Sequence, residues 1–75
     1  MKRPPLRMKP VPPRFHIGDR VRILYGFHGV VGEVVEDRGN LGAEGERIYA
    51  VRMKMDAWNE MTSEFPEDSL EAVAA

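Results

Sequence analysis

The chain has 75 residues, no cysteine, only two histidines and a formal net charge of -1. A chain this short forms a single domain and buries only about 60% of the surface that its unfolded form exposes. Disulfides are excluded, and two histidines offer little for a structural metal site. No apolar run approaches the roughly 20 residues that a membrane span needs. We therefore expect a small soluble cytoplasmic protein with no membrane partner.

Charge divides the chain after Arg14. Residues 1–14 carry five basic side chains and no acid, whereas residues 15–75 carry six basic and twelve acidic ones, a net charge of -6. The first segment also holds five of the six prolines, which remove backbone donors and disfavour helix and interior strand. We predict a proline-rich basic tail over residues 1–14, extended or disordered, and a folded domain over residues 15–75.

The tail contains a polyproline ligand pattern. Arg7, Pro10 and Pro13 are spaced as basic-x-x-Pro-x-x-Pro, and segments of this kind dock as preformed polyproline helices on aromatic grooves. These three residues are therefore candidate contacts. The alternative is a solvated leader, which the composition by itself favours.

Two strands are predicted in the first half of the domain. In residues 20–23, Val21 and Ile23 share one face and two arginines share the other, which is the period of a half-buried strand. Residues 30–36 are rich in valine and predict a second strand. Both of its faces carry valines, so the pattern leaves the inward face open.

Two further strands follow a glycine-rich loop over residues 37–46. Alternation over residues 47–55 predicts a third strand with one face formed by Tyr49, Val51, Met53 and Met55. A fourth strand over residues 60–65 would turn Met61 and Phe65 inward.

The end of the chain predicts a single helical turn over residues 66–70, with Leu70 facing the core, and an edge strand over residues 70–73. Five short strands without a long helix favour an all-β domain whose sheet closes on itself. A five-stranded SH3-like barrel fits this count best.

Three glycines in the connection between the first two strands recur at a spacing of three: Gly26, Gly29 and Gly32. A phosphate-binding loop needs a following helix, but valine-rich strand follows Gly32. The spacing therefore predicts positive φ at Gly26 and Gly29 in a tight connection. At Gly32 it predicts a bend or a close approach of another backbone.

Two resemblances add to this picture. The run from Gly18 to Ile23, followed by the three glycines, resembles the KOW motif of ribosomal and transcription-elongation proteins, which implies contact with RNA or RNA polymerase. Residues 15–73 look like the electron-transport-accessory-type SH3-like barrels, which include the PsaE subunit of photosystem I, the variable chain of ferredoxin-thioredoxin reductase and the barrel of the nitrile hydratase beta subunit. The shared outline is Gly-Asp-x-Val-x-Ile, Tyr-x-Val and a closing acidic-x-Leu-Glu. This second resemblance implies a non-catalytic accessory role in a larger complex.

Aromatic residues in turn-like segments are the other candidate contacts. Tyr25, Phe27 and Trp58 could stack on bases, on proline or on apolar side chains of a partner. His28 lies in the same turn as Phe27 and is either a contact or simply a solvated loop residue. Trp58 has the alternative of capping one end of the barrel.

No triad-like or paired-carboxylate spacing is evident, so we expect no enzyme, cofactor or metal. Four basic residues on outward faces of the first and third strands could form a stripe: Arg20, Arg22, Arg52 and Lys54. Pairing with Glu33 and Glu36 is the favoured alternative.

The expected function is a non-catalytic module that binds a larger protein or enzyme complex. The alternative is a nucleic-acid or ribonucleoprotein module that uses the basic tail and the loop aromatics. A third hypothesis is that the tail folds onto its own acidic domain. The oligomeric state stays open.

Overall fold

The computed structural model describes residues 12–27 and 29–73. It contains five strands, namely β1 (Arg20–Ile23), β2 (Val31–Gly39), β3 (Ile48–Lys54), β4 (Glu60–Pro66) and β5 (Leu70–Ala72). Two 3₁₀ turns lie at Ala43–Gly45 and Glu67–Ser69. The prediction of an all-β domain with five short strands is confirmed. The predicted tail falls outside the described residues except for residues 12–14.

All five strands form one antiparallel sheet in the order β4-β3-β2-β1-β5. In the described part of the chain no ladder joins β4 to β5. The sheet is therefore open, and the prediction that it closes on itself is wrong. The turn between them bonds elsewhere, because Glu67 N–H donates to Arg47 O and Leu24 N–H donates to Ser69 O. Only the turn Glu67–Ser69 separates these two edge strands. The sheet must therefore curl strongly to bring its opposite edges within reach of one turn.

The curled sheet encloses a single core on its inner face. This core consists of Phe15, Val21, Ile23, Val34, Tyr49, Val51, Met53, Phe65 and Leu70. In β2, Val34 is fully buried, whereas Val31 and Val35 are only partly buried. The register explains this, because Val34 lies opposite the buried Val51 of β3. Val34 therefore settles which face of the second strand points inward.

Met61, predicted to point inward, and Met55, predicted to share a face with Val51 and Met53, lie at the margin of the core. Met61 is 42% exposed and Met55 is 45% exposed. Met61 lies opposite the buried Met53, but β4 is an edge strand and leaves one side of Met61 uncovered. Met55 follows the last residue of β3 and lies in the turn. Met61 thus shares the inward face of Met53 without being buried, because alternation specifies a face and not how far the core extends along it.

The second strand is longer than predicted and includes the start of the predicted loop. Asp37 accepts hydrogen bonds from Gly39 N–H at 2.9 Å and from the Arg47 guanidinium at 2.7 Å. The Gly39 bond, with help from Arg47, lowers the pKa of Asp37 below its ordinary value. Irregular pairing near Val34 and Asp37 accommodates the extra residues against β3.

The glycine predictions are confirmed. Gly26 and Gly29 have φ of +96° and +79° in the β1–β2 connection. Gly32 lies where β3 comes very close, since a Cβ added there would be 2.6 Å from Val51 Cγ1 and 2.7 Å from the Arg52 carbonyl oxygen. Backbone cannot yield as a flexible side chain can, so only glycine fits this position.

Gly32→Ala is expected to lower the free energy of unfolding by roughly 1 to 3 kcal/mol, because the added methyl must push β2 and β3 apart. Thr62→Ala on the exposed side of β4 is the control, with a change within about 0.5 kcal/mol. Urea denaturation followed by far-ultraviolet circular dichroism measures both. Equal stabilities for the two variants would contradict the close approach.

Candidate functional site

The β3–β4 turn is held by one carboxylate. Asp56 Oδ1 accepts the backbone N–H groups of Trp58 at 2.8 Å and of Asn59 at 2.9 Å, and the Asn59 side-chain amide donates to Asp56 Oδ2 at 2.8 Å. Met55 N–H closes the hairpin by donating to Asn59 O at 2.8 Å. The Asn59 amide and the Trp58 N–H hold the pKa of Asp56 below its ordinary value. The turn is thus a defined conformation rather than a loose loop.

This turn presents Trp58 to solvent. The Trp58 side chain is 93% exposed, so the alternative in which Trp58 caps the barrel is wrong. Met55 and Met61 flank the turn with about half of each side chain exposed. We call Met55, Trp58 and Met61 the hairpin end. It brings three exposed apolar side chains to one hydrogen-bonded turn.

The β1–β2 loop treats its two aromatic residues differently. Tyr25 is 70% exposed. The ring of Phe27 packs edge-on against Phe65, with centroids 5.6 Å apart, and so adds to the margin of the core. His28 lies outside the described residues. Strands β1 to β4 alternate in direction, so the β1–β2 connection and the β3–β4 connection lie at the same end of the sheet. The loop with Tyr25 and Phe27 and the hairpin end are therefore at one end of these four strands.

The outer face of the sheet carries charges that are mostly paired. Arg52 bonds to Glu33 at 2.7 Å, and Arg22 bonds to Glu71 at 3.1 Å. Glu36 is bound by Arg38 and not by the predicted partners. An open groove of about 450 Å³ on this face is lined by Gly18, Arg20, Val31, Gly32, Glu33, Arg52, Lys54 and Glu60.

Two of the four basic side chains on the outer face have no acidic partner among the described residues. Within residues 12–27 and 29–73, Arg20 and Lys54 make no ion pair. They lie on β1 and β3 with β2 between them. Charge pairing is therefore the better description of this face, and it forms no continuous basic stripe.

The N-terminal segment joins the body at a buried tyrosine. The Tyr49 hydroxyl donates to Glu67 Oε2 at 2.7 Å and accepts the Phe15 N–H at 3.3 Å. Arg14 N–H donates to the same Glu67 oxygen at 3.1 Å, and the Arg14 guanidinium lies 3.9 Å from Asp68. Burial, with the Glu67 hydrogen bond, raises the pKa of Tyr49 to about 12. Residues 14 and 15 are thereby fixed against the turn Glu67–Ser69.

Other predicted contacts have mixed outcomes. Pro13 is partly buried beside this junction, while Arg7 and Pro10 lie outside the described residues. Sequence reasoning missed Met55 and Met61 as surface residues and gave Asp56 no role. The spacing of an aspartate and an asparagine around Trp58 is a turn signal that could have identified Asp56.

Among the described residues, no three His, Asp or Glu side chains cluster so as to hold a metal ion. No helix within those residues is long and apolar enough to cross a membrane. Comparisons with protein-family models, curated proteins and solved structures found no match. The fold and the site together define a small all-β domain that displays an apolar hairpin end and an aromatic loop.

Tyr49 predicts loss of stability at high pH. An unfolded tyrosine loses its proton near pH 10, whereas folded Tyr49 keeps it up to about pH 12. The contribution is therefore fully present below pH 10 and lost as the pH rises to 12, by roughly 2 to 3 kcal/mol. Urea denaturation across this range measures it.

Tyr49→Phe is expected to lack this loss of stability between pH 10 and pH 12, because the phenylalanine side chain has no proton to lose. Tyr25→Phe is the matched control and should keep the decline, since it leaves Tyr49 unchanged. An identical decline in Tyr49→Phe and the wild-type protein would show that other groups cause it.

Asp56→Ala is expected to loosen the turn without unfolding the sheet, because three of its hydrogen bonds end on that carboxylate. Amide hydrogen exchange at Trp58 and Asn59 should become faster, while exchange in β2 stays unchanged. Because the pKa of Asp56 is lowered in the folded protein, its contribution to the stability of the turn is present above the ordinary pKa range of aspartate. This contribution is lost as the pH falls below that range. Glu46→Ala is the control, and equal exchange in both variants would contradict this role.

Proposed function

We propose that this protein is a non-catalytic SH3-like interaction module that docks on a larger protein or enzyme complex through the hairpin end. Five antiparallel strands, with one 3₁₀ turn linking the two edge strands, support the SH3-like part of this proposal. The interaction part depends on Trp58 and its surroundings.

The observation that carries the proposal is a tryptophan 93% exposed on a fixed turn. Burying an aromatic side chain of this size removes about 150 to 250 Å² of surface from contact with water. Tryptophan is also among the residues most enriched at the centres of protein interfaces. Because Asp56 already holds the turn, binding would order little additional chain, which keeps the entropic cost of docking low.

The neighbouring methionines suit the same role. Met55 and Met61 are each partly exposed beside Trp58, and the flexible thioether side chain adapts to irregular apolar partners. A partner with an apolar cleft for the indole, surrounded by apolar contacts for the two methionines, matches this surface.

A nucleic-acid module is the second candidate, and the exposed rings of Tyr25 and Trp58 are the observation in its favour, since bases stack on such rings. Charge favours the first candidate. Residues 15–75 have a net charge of -6, and phosphate binding scales with the number of basic contacts. Nucleic-acid binding would therefore depend on the lysine and arginine side chains of residues 1–14, and its affinity would fall steeply as the salt concentration is raised.

The test compares Trp58→Ala with Leu41→Ala, a matched loss of an exposed apolar side chain, since Leu41 is 70% exposed on the β2–β3 connection. The full chain is used as bait in a nuclease-treated extract of its own source, and recovered proteins are quantified by mass spectrometry. We expect one discrete partner to bind the wild type and Leu41→Ala equally and to lose at least about tenfold with Trp58→Ala.

Two outcomes would reject the docking proposal. One is a partner retained equally by Trp58→Ala. The other is recovery of nucleic acid alone from an untreated extract, with affinity that falls steeply as salt is raised, which would favour the second candidate.

A further inference from the structure

Two segments of opposite charge meet at the junction of residues 14 and 15. Residues 1–14 carry five bases and no acid, while residues 55–73 carry six acids and no base. They come together where Arg14 contacts Glu67 and Asp68. The basic segment therefore enters the body at one end of an acidic stretch of structure.

That acidic stretch follows a free edge of the sheet. β4 pairs only with β3 and runs from the Trp58 turn to the turn Glu67–Ser69. We call β4 together with the turns at its two ends the acidic edge, and it carries Asp56, Glu60, Glu64, Glu67 and Asp68. Among the described residues, Arg38 pairs with Glu64 and Arg14 with Asp68, while Asp56 and Glu60 have no ion pair. Unpaired carboxylates thus lie at the end nearest Trp58.

The length of β4 equals the length of about seven residues of the basic segment in a polyproline helix. A seven-residue strand covers about 20 to 24 Å at roughly 3.4 Å per residue. A polyproline helix rises about 3.1 Å per residue, so about seven residues cover the same distance. Counting seven residues back from Arg14 ends at Arg7, which would bring that side chain beside Asp56 and Glu60 and place the intervening prolines along β4.

We propose that the segment from Arg7 to Pro13 binds along the acidic edge of its own chain and covers Trp58. Arg7 and Lys9 pair with the carboxylates near the hairpin, and the Arg7 guanidinium lies over the indole ring in a cation–π contact, while the proline rings lie along β4. A polyproline segment is already extended, so little conformational entropy is lost. Direct attachment at Arg14 adds an effective concentration in the millimolar range.

The contact has a consequence that rests on the proposed function: a segment covering Trp58 would compete with the docking partner. The contact itself does not depend on any partner. It can be measured in the isolated full chain, because Trp58 is the only tryptophan.

The experiment measures acrylamide quenching of Trp58 fluorescence, since acrylamide is uncharged and insensitive to the protein's field. Two double variants of the full chain are compared, Arg7→Gln with Lys9→Gln and Lys2→Gln with Arg3→Gln. They remove the same charge from the same segment, but only the first pair lies within reach of the acidic edge. We expect the quenching constant to rise at least roughly twofold in the first variant and to stay near the wild-type value in the second.

Raising the salt concentration and replacing acidic residues of the acidic edge provide two independent tests. In roughly 0.5 M salt, where screening acts within about 5 Å, wild-type quenching should approach that of the first variant. Glu60→Gln should raise quenching, whereas Glu46→Gln in the β2–β3 connection should not. Circular dichroism confirms that each variant keeps its sheet.

Equal quenching in the wild type and the Arg7 and Lys9 variant would overturn the proposal. Protection that increases with protein concentration would also overturn it, because the occupant would then be a second copy. Either result leaves the comparison of Trp58→Ala with Leu41→Ala unaffected, so failure of this contact and failure of the docking function are distinguishable.

Discussion

The hydrogen bond from the Tyr49 hydroxyl to Glu67 links the parts of this small domain that the sheet alone does not hold together. Tyr49 is fully buried on β3, and its hydroxyl reaches the turn that connects the two edge strands and also receives the Phe15 N–H. Because a buried hydroxyl must be satisfied, the position of this turn and the course of the chain before β1 are coupled to the core. Tyr49 therefore ties the exit of the basic segment to the same turn that backbone hydrogen bonds from Glu67 and Leu24 hold against the sheet.

The small size of the domain explains why apolar surface remains at the hairpin end. The core is filled between the curled strands, and a chain of this size cannot extend it to the tip of the β3–β4 hairpin. Met55 and Met61 lie where the core ends, and Trp58 lies beyond it. Asp56 fixes this exposed tip through local hydrogen bonds rather than by burial. A surface that is apolar, exposed and rigid is suited to binding, which is why the proposed function depends on it.

Electrostatics organises the surface into two regions. On the outer face, cross-strand pairs such as Arg52 with Glu33 neutralise most charge, which leaves little basic surface for nucleic acid. Along β4 and the turn after it, acids accumulate without bases. Since the basic segment enters beside Glu67, its charges start from the end of that acidic edge. This entry point lies at the opposite end of β4 from Trp58, so the proposed contact reaches the proposed docking surface only by following β4 along its length.

The sequence by itself determined the five strands, the inward faces of β1 and β3, and the glycines of the β1–β2 connection. These follow from local physics, because side chains alternate along a strand and positive φ favours glycine. Only the tertiary structure decided that Val34 is the inward valine, that the sheet stays open, and that Trp58 is exposed while Phe27 packs on Phe65. Each of these depends on which strand lies opposite and where the core ends, and a one-dimensional pattern carries neither distance nor coverage.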